Sequence, residues 1–322
     1  MSKKILIIRM MTLADVISIG VPALRHYQQK YLDAEITFLT HDQGAEIADL
    51  VDKRIKVQLL PNGTWPDNIL PAMESFLGLA EDIVRIGYDE IICLDTHFMP
   101  CFLARFLKDA GENVIGNTMN KSVQDLITEF QTQTLKPEYV SDAREYLESS
   151  FFTMVSWHTQ WWQTSPAEKG YGEYYLAKAC GLTNFTYDNH IDVEPAISLN
   201  EVKSDKKIIA LATQTTGQEQ GYPFTKQLKW ALEDLGYHVV SSFNSSTPIK
   251  QQLALLKQAD LAVTTANASL WLAKAVACPT LTLAGDLPPV TLMADYTIEN
   301  SSLSEVEVAS LVDSIKEIVP LS

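Results

Sequence analysis

Ile5-Leu6-Ile7-Ile8 is a run of four large apolar side chains with no polar residue between them. A strand with one wet face alternates apolar and polar residues. A strand that is apolar at every position has to be covered on both faces. A parallel sheet with helices packed above and below it provides that cover. Runs of this kind recur along the chain, separated by stretches with helical spacing. In the first half the expected strands are 4–9, 35–40, 56–60, 88–95 and 114–116, and the helices 16–31, 69–86 and 102–108. The pattern loosens between about 120 and 170, where Phe151, Phe152, Trp157, Trp161 and Trp162 cluster. Tyr171 to Cys180 reads as a helix closed by Gly181. The polar stretch 184–206, with Pro195, reads as an interdomain connection. The rhythm restarts with strands at 206–213, 237–241, 260–264 and 280–284, and helices at 225–235, 248–258, 269–276 and 304–318.

Two doubly wound, Rossmann-like α/β domains are therefore expected, over 1–185 and 186–322. They should face each other across a cleft, with the last helix available to pack back on the first domain. A chain of 322 residues has room for both. Such domains bind ligands against the C-terminal edges of their strands.

Charge narrows the partners. The chain carries 25 Lys and Arg against 40 Asp and Glu, a net charge of −15. The excess is spread over both halves, so it is not an acidic tail. Nucleic-acid phosphates are poor partners for such a surface, and anionic membranes are too. Met1-Ser2-Lys3-Lys4 leads into only four apolar residues, too few for a signal-peptide core or a membrane span. Cys93, Cys101, Cys180 and Cys278 lack CxxC or CxxxC spacing. Reduced cytoplasmic thiols are expected, with no metal site, although Cys93 and Cys101 are near enough in sequence to meet.

The candidate chemistry begins in the loop after the first strand. Ile7-Ile8-Arg9-Met10-Met11-Thr12-Leu13-Ala14-Asp15-Val16-Ile17, followed by Pro22-Ala23-Leu24, resembles the opening of glycosyltransferase family 9, the bacterial heptosyltransferases of lipopolysaccharide core assembly. Members carry a buried strand, a small-residue loop ending in Gly-Asp-Val or Gly-Asp-Ile, and a Pro-Ala-Leu helix. Here Ala14 replaces the glycine and Asp15 keeps the carboxylate. The resemblance implies that Asp15 is the general base, which is chemically apt for a carboxylate beside an acceptor hydroxyl. Read from the residues alone, the N-cap of a helix beginning at Val16 is the favoured role for Asp15, and the two roles are compatible. Asp89 to Asp95 looks like the family's strand ending in Asp before Gln-Gly. Thr96-His97 stands in place of that pair, so Thr12, Asp95 and His97 are acceptor-side candidates.

In the second half, Thr213-Gln214-Thr215-Thr216 and Tyr222-Pro223-Phe224 resemble the family's donor-diphosphate loop. Thr215 and Thr216 fall on its hydroxyl pair. Gln220 falls where a lysine is expected. Residues 253–285 resemble the family's signature: Ala259-Asp260, a strand, a helix at Ser269, then Pro279-Thr280 and a strand ending at Gly285. The scaffold matches, but Ala266, Asn267, Ala268 and Trp271 stand at the family's aspartate, hydroxyl residue, glycine and histidine. Asn267, Ser269, Gly285 and the amides of this helix remain as donor contacts.

The resemblance implies a GT-B fold. It also implies an inverting, metal-independent transferase with no cofactor, acting in the cytoplasm with at most peripheral contact at the inner membrane. An ADP-heptose-like nucleotide sugar would be the donor, and a glycan or glycolipid of the bacterial surface the acceptor. The lost Lys, Asp and His positions support an alternative: a non-catalytic binding or scaffold protein on the same fold. The charge of −15 is poorly suited to phosphorylated lipid cores, which favour a basic surface. The aromatic stretch 151–162 reads as core packing or a subunit contact, with a sugar- or lipid-facing platform as the alternative.

Overall fold

The computed structural model describes residues 2–10, 12–60, 69–152, 154, 169–214, 221–244 and 246–321. They form two compact units, Met1–Ser165 with Gly172–Asp188, and Pro166–Tyr171 with Asn189–Ser322.

The first unit is built on a six-stranded sheet: β1 (Lys4–Ile8), β2 (Glu35–Thr40), β3 (Lys56–Leu59), β4 (Glu90–Cys93), β5 (Val114–Met119) and β6 (Leu147–Ser149). Its order is β3-β2-β1-β4-β5-β6. All pairs are parallel except β5 with β6. Ile5 to Ile8 are fully buried, as an apolar run covered on both faces requires. Ile8 pairs with Cys93 and Leu39. The chain leaves β1 toward β2 on one side and reaches β4 on the other. That reversal makes a crevice at the C-terminal ends of β1 and β4, the topological switch point.

The helix that follows β1 starts earlier than expected. Leu13–Asp15 forms its first turn, Val16–Gly20 is π-helical, and Val21–Lys30 is α-helical. Thr12 is the cap, accepting from the Asp15 amide at 3.1 Å; Asp15 sits in the first turn instead of capping it. Pro22 explains the π segment. It cannot donate to the Ser18 carbonyl four residues back, and its ring would crowd that oxygen. The wider π turn makes room, and the Tyr187 hydroxyl donates to the Ser18 carbonyl at 3.0 Å. Gly172 packs against the same spot; a Cβ there would lie 2.1 Å from the Ser18 oxygen.

The second unit holds β7 (Ile208–Ala212), β8 (His238–Val240), β9 (Leu261–Thr265), β10 (Thr280–Leu283) and β11 (Tyr296–Ile298). Their order is β11-β10-β9-β7-β8, all parallel. Here the switch point lies between β7 and β9. The last helix, Val308–Ile318, places Leu311 and Ile315 in this unit's core. The Tyr222 and Tyr237 hydroxyls donate to the Val306 and Val319 carbonyls at 2.8 and 2.6 Å, tying down the C-terminal segment. A two-domain, Rossmann-like α/β fold is thus what the alternating runs produce. The structure adds a helix at Asp42–Val51, strand β6 and strand β11. Among the described residues, no helix is long and apolar enough to cross a membrane.

Candidate functional site

At the first unit's switch point, Arg9 follows β1 directly and is only 2% exposed. A guanidinium buried this deeply must be paired on several sides. Nη1 donates to the Leu94 carbonyl at 2.8 Å and lies 3.3 Å from Asp95 Oδ1. Nη2 donates to Asp15 Oδ1 at 2.7 Å. The Tyr175 ring lies 5.1 Å from the guanidinium carbon, and its hydroxyl donates to the same Leu94 carbonyl at 2.5 Å. Asp95 is fully buried, and its Oδ2 accepts from the Met10 amide at 2.6 Å. One cation therefore serves two carboxylates, one from the segment after each strand of the switch point.

Asp15 is the more open of the pair, with its side chain 19% exposed. Its Oδ2 accepts from the Thr12 hydroxyl at 2.9 Å. Burial pushes this carboxyl up. The Arg9 charge and hydrogen bond, the Thr12 hydroxyl and the field of His97 outweigh that and hold it below the usual aspartate range. Asp15 is therefore an ionised, partly open carboxylate at neutral pH. His97 caps the cluster, with Nδ1 3.8 Å from Asp95 Oδ1 and about half its side chain in solvent. His41, just after β2, lies against the Thr12 backbone, and burial holds it below the ordinary histidine value.

The expected acceptor-side residues Thr12, Asp95 and His97 thus gather around Asp15. Sequence reasoning missed Arg9 and His41. The signal for Arg9 was present: a charge at the end of a strand buried on both faces needs buried partners. Cys93 and Cys101 are both buried free thiols, and each approaches the Asp95 carbonyl, at 3.9 and 3.5 Å.

In the second unit, Thr213 directly follows β7 and is fully buried, with its hydroxyl 2.8 Å from that of Thr225. Asn267 follows β9 and caps the helix Ala268–Ala275. Its Oδ1 accepts from the Ser269 amide at 2.9 Å, and its Nδ2 donates to the Ala212 carbonyl at 3.3 Å and to Thr265 Oγ1 at 3.0 Å. The side chain is thus fully engaged within the protein, tying the end of β9 to the end of β7. Ser269 is half-buried on the first turn of that helix. Gly285, just past β10, adopts φ +60° with open space where a Cβ would stand. Trp271 is buried, at 7% exposure. Thr215, Thr216 and Gln220 lie outside the described residues, as do Trp157, Trp161 and Trp162. Of the described aromatics, Phe151 is buried and Phe152 is exposed. Among the described residues, no group of three His, Cys, Asp or Glu side chains is arranged to hold a metal ion.

No protein-family model matches the chain, and no curated protein matches it in sequence. Solved structures do. Escherichia coli heptosyltransferase WaaC, solved with ADP-2-deoxy-2-fluoro heptose, aligns over 98% of this chain and 99% of its own, at 13% identity and a TM-score of 0.59. A family 9 glycosyl transferase from Veillonella parvula aligns over 98% and 97%, at 12% identity and a TM-score of 0.64. The chain has the heptosyltransferase-like fold of glycosyltransferase family 9. Escherichia coli ADP-heptose lipopolysaccharide heptosyltransferase II is similar as well, over 98% of both chains at 14% identity and a TM-score of 0.59. At these identities the likeness establishes the fold, so activity has to be argued from the residues.

Proposed function

We propose that the chain is a glycosyltransferase that moves a sugar, heptose or a related one, from a nucleotide-sugar donor to a hydroxyl acceptor. The reading is carried by one observation: an ionised, partly open carboxylate, Asp15, held by Arg9 and Thr12 at the switch point of the first unit. In the proposed step the acceptor hydroxyl loses its proton to Asp15. Its oxygen bonds to the anomeric carbon as the bond from that carbon to the diphosphate oxygen breaks, and the electron pair leaves with the nucleoside diphosphate. A single displacement of this kind inverts the anomeric centre. The leaving charge would be met without a metal by hydrogen-bond donors of the chain: Thr215, Thr216, Gln220, Ser269 and the backbone near Asn267 and Gly285. WaaC, solved with an ADP-heptose analogue, supports an ADP-linked donor. The acceptor would be a surface glycan or glycolipid, met in the cytoplasm by a protein with at most peripheral membrane contact.

The test is release of nucleoside diphosphate from ADP-, UDP- and GDP-sugars, ADP-heptose first, with candidate glycan acceptors. Asp15→Asn should lower kcat by about 10²-fold or more, the size expected of a general base. An unchanged rate would remove Asp15 from that role. The second reading is a non-catalytic binding or scaffold protein. It is favoured by Trp271 and the alanines at the family's polar positions, and by the Asn267 side chain being consumed inside the fold. Absence of both nucleotide binding and turnover across the whole panel would select it.

A further inference from the structure

The cluster at the first switch point holds more charge than one base needs. Arg9 is buried between two carboxylates that are 80 residues apart in the chain. It reaches Asp15 through Nη2 at 2.7 Å and faces Asp95 through Nη1 at 3.3 Å. Asp95 Oδ1 is buried and accepts no hydrogen bond among the described residues. It meets Arg9 and, at 3.8 Å, His97. Its other oxygen is fixed by the Met10 amide, so the carboxylate cannot turn to find a donor. A buried anion in this position is costly unless the cation beside it attends to it. Arg9 is therefore divided between the two.

We propose that Arg9 is the positioning residue for proton transfer at Asp15, and that Asp95 sets how much of the Arg9 charge Asp15 feels. The role rests on the glycosyltransferase reading, but the charge division does not. Undivided, Arg9 would hold Asp15 too firmly ionised to serve as a base; Brønsted behaviour makes a weakly basic carboxylate a poor proton acceptor. With Asp95 taking part of that charge, Asp15 keeps its orientation and loses less of its basicity. The geometry requires an arginine. Its planar fork reaches Leu94 and Asp15 through separate nitrogens, whereas a lysine offers a single point of charge. Among the described residues, the other groups facing the cluster are His97 beyond Asp95, His41 across Thr12, the Tyr175 ring under Arg9, and the buried thiols of Cys93, Cys101 and Cys180.

The experiment is carbon NMR titration of the aspartate carboxyls in the full chain, with Asp15 assigned by its loss in Asp15→Asn. In Arg9→Met the Asp15 midpoint should rise, because burial is then unopposed by the charge. In Asp95→Asn it should fall, because Arg9 is then undivided and a like charge is gone. An Asp15 midpoint that stays put in both variants, or that rises in Asp95→Asn, overturns the proposal. If Arg9→Met does not fold, Arg9→Lys and Asp95→Asn carry the test. Arg9→Lys should keep Asp15 ionised yet lose about 10²-fold in kcat, the scale of a misplaced reacting group. A wild-type kcat in Arg9→Lys likewise overturns the positioning role. If the midpoints move as expected while every nucleotide sugar is inert, the charge division stands and the glycosyltransferase reading falls.

Discussion

Replacing Asn267 with alanine tests how the second switch point is held together. Three contacts are lost at once. The N-cap bond to the Ser269 amide, at 2.9 Å, is worth about 0.5–2 kcal/mol. The donations to the Ala212 carbonyl and the Thr265 hydroxyl, at 3.3 and 3.0 Å, are buried and worth about 1 kcal/mol each. Asn267→Ala should therefore destabilise the second unit by about 2–4 kcal/mol. Asn267→Ser keeps a neutral oxygen to accept from the Ser269 amide and loses the two donations. It should retain the cap's share, about 1 kcal/mol. Urea unfolding is the assay, followed by circular dichroism and by the fluorescence of Trp271, which is buried one turn along the same helix. A loss below about 0.5 kcal/mol in Asn267→Ala, the scatter expected of a surface change, would refute the reasoning. So would equal losses in the two variants.

Two further outcomes follow from the first unit. Gly116 has φ +96°, and a Cβ there would lie 2.3 Å from the Cys93 carbonyl oxygen and 2.7 Å from the Phe151 ring; Gly116→Ala should cost at least about 2 kcal/mol in urea unfolding, and a change under 1 kcal/mol would show that the sheet yields there. Asp15 has a folded pKa below its ordinary 3.8, so its contribution to stability is present above that value and lost as the pH falls through the folded one. The stability gap between wild type and Asp15→Asn should thus close only below about pH 4, and a gap independent of pH would contradict the Arg9 pairing.

The parts of the fold that were legible are those written in local runs. Ile5 to Ile8 and Ile208–Ala212 are apolar throughout and buried throughout, so their place in a covered parallel sheet could be read directly. The helix Asp42–Val51 was not, because only Gly44, Ile47 and Ala48 are buried in it and its apolar stripe is faint. Strands β6 and β11 have three residues each and no adjacent apolar pair like Val239-Val240 of the equally short β8. Thr12 was passed over as a cap because the apolar pattern begins at Val16. The Thr12-Leu13-Ala14-Asp15 spacing, with the hydroxyl on the Asp15 amide and carboxylate, is nonetheless a capping-box signal. Asp15 is legible from its place after the first strand, since open sheets gather ligands at strand ends, and Asp95 and His97 from the resemblance of the strand before them. The role of Arg9 was hidden because one of its partners, Asp95, comes from a distant part of the chain. In the second unit the scaffold of the signature persists because it is core. At its polar positions Asn267 is hydrogen-bonded within the fold and Trp271 is buried.

Isothermal titration of the full chain with ADP, UDP, GDP and their sugars tests the central claim most directly. A nucleotide-sugar transferase must hold the diphosphate, so saturable binding of one nucleotide, tighter for its sugar conjugate and retained in Asp15→Asn, is the predicted result. No binding of any nucleotide at millimolar concentration would contradict it.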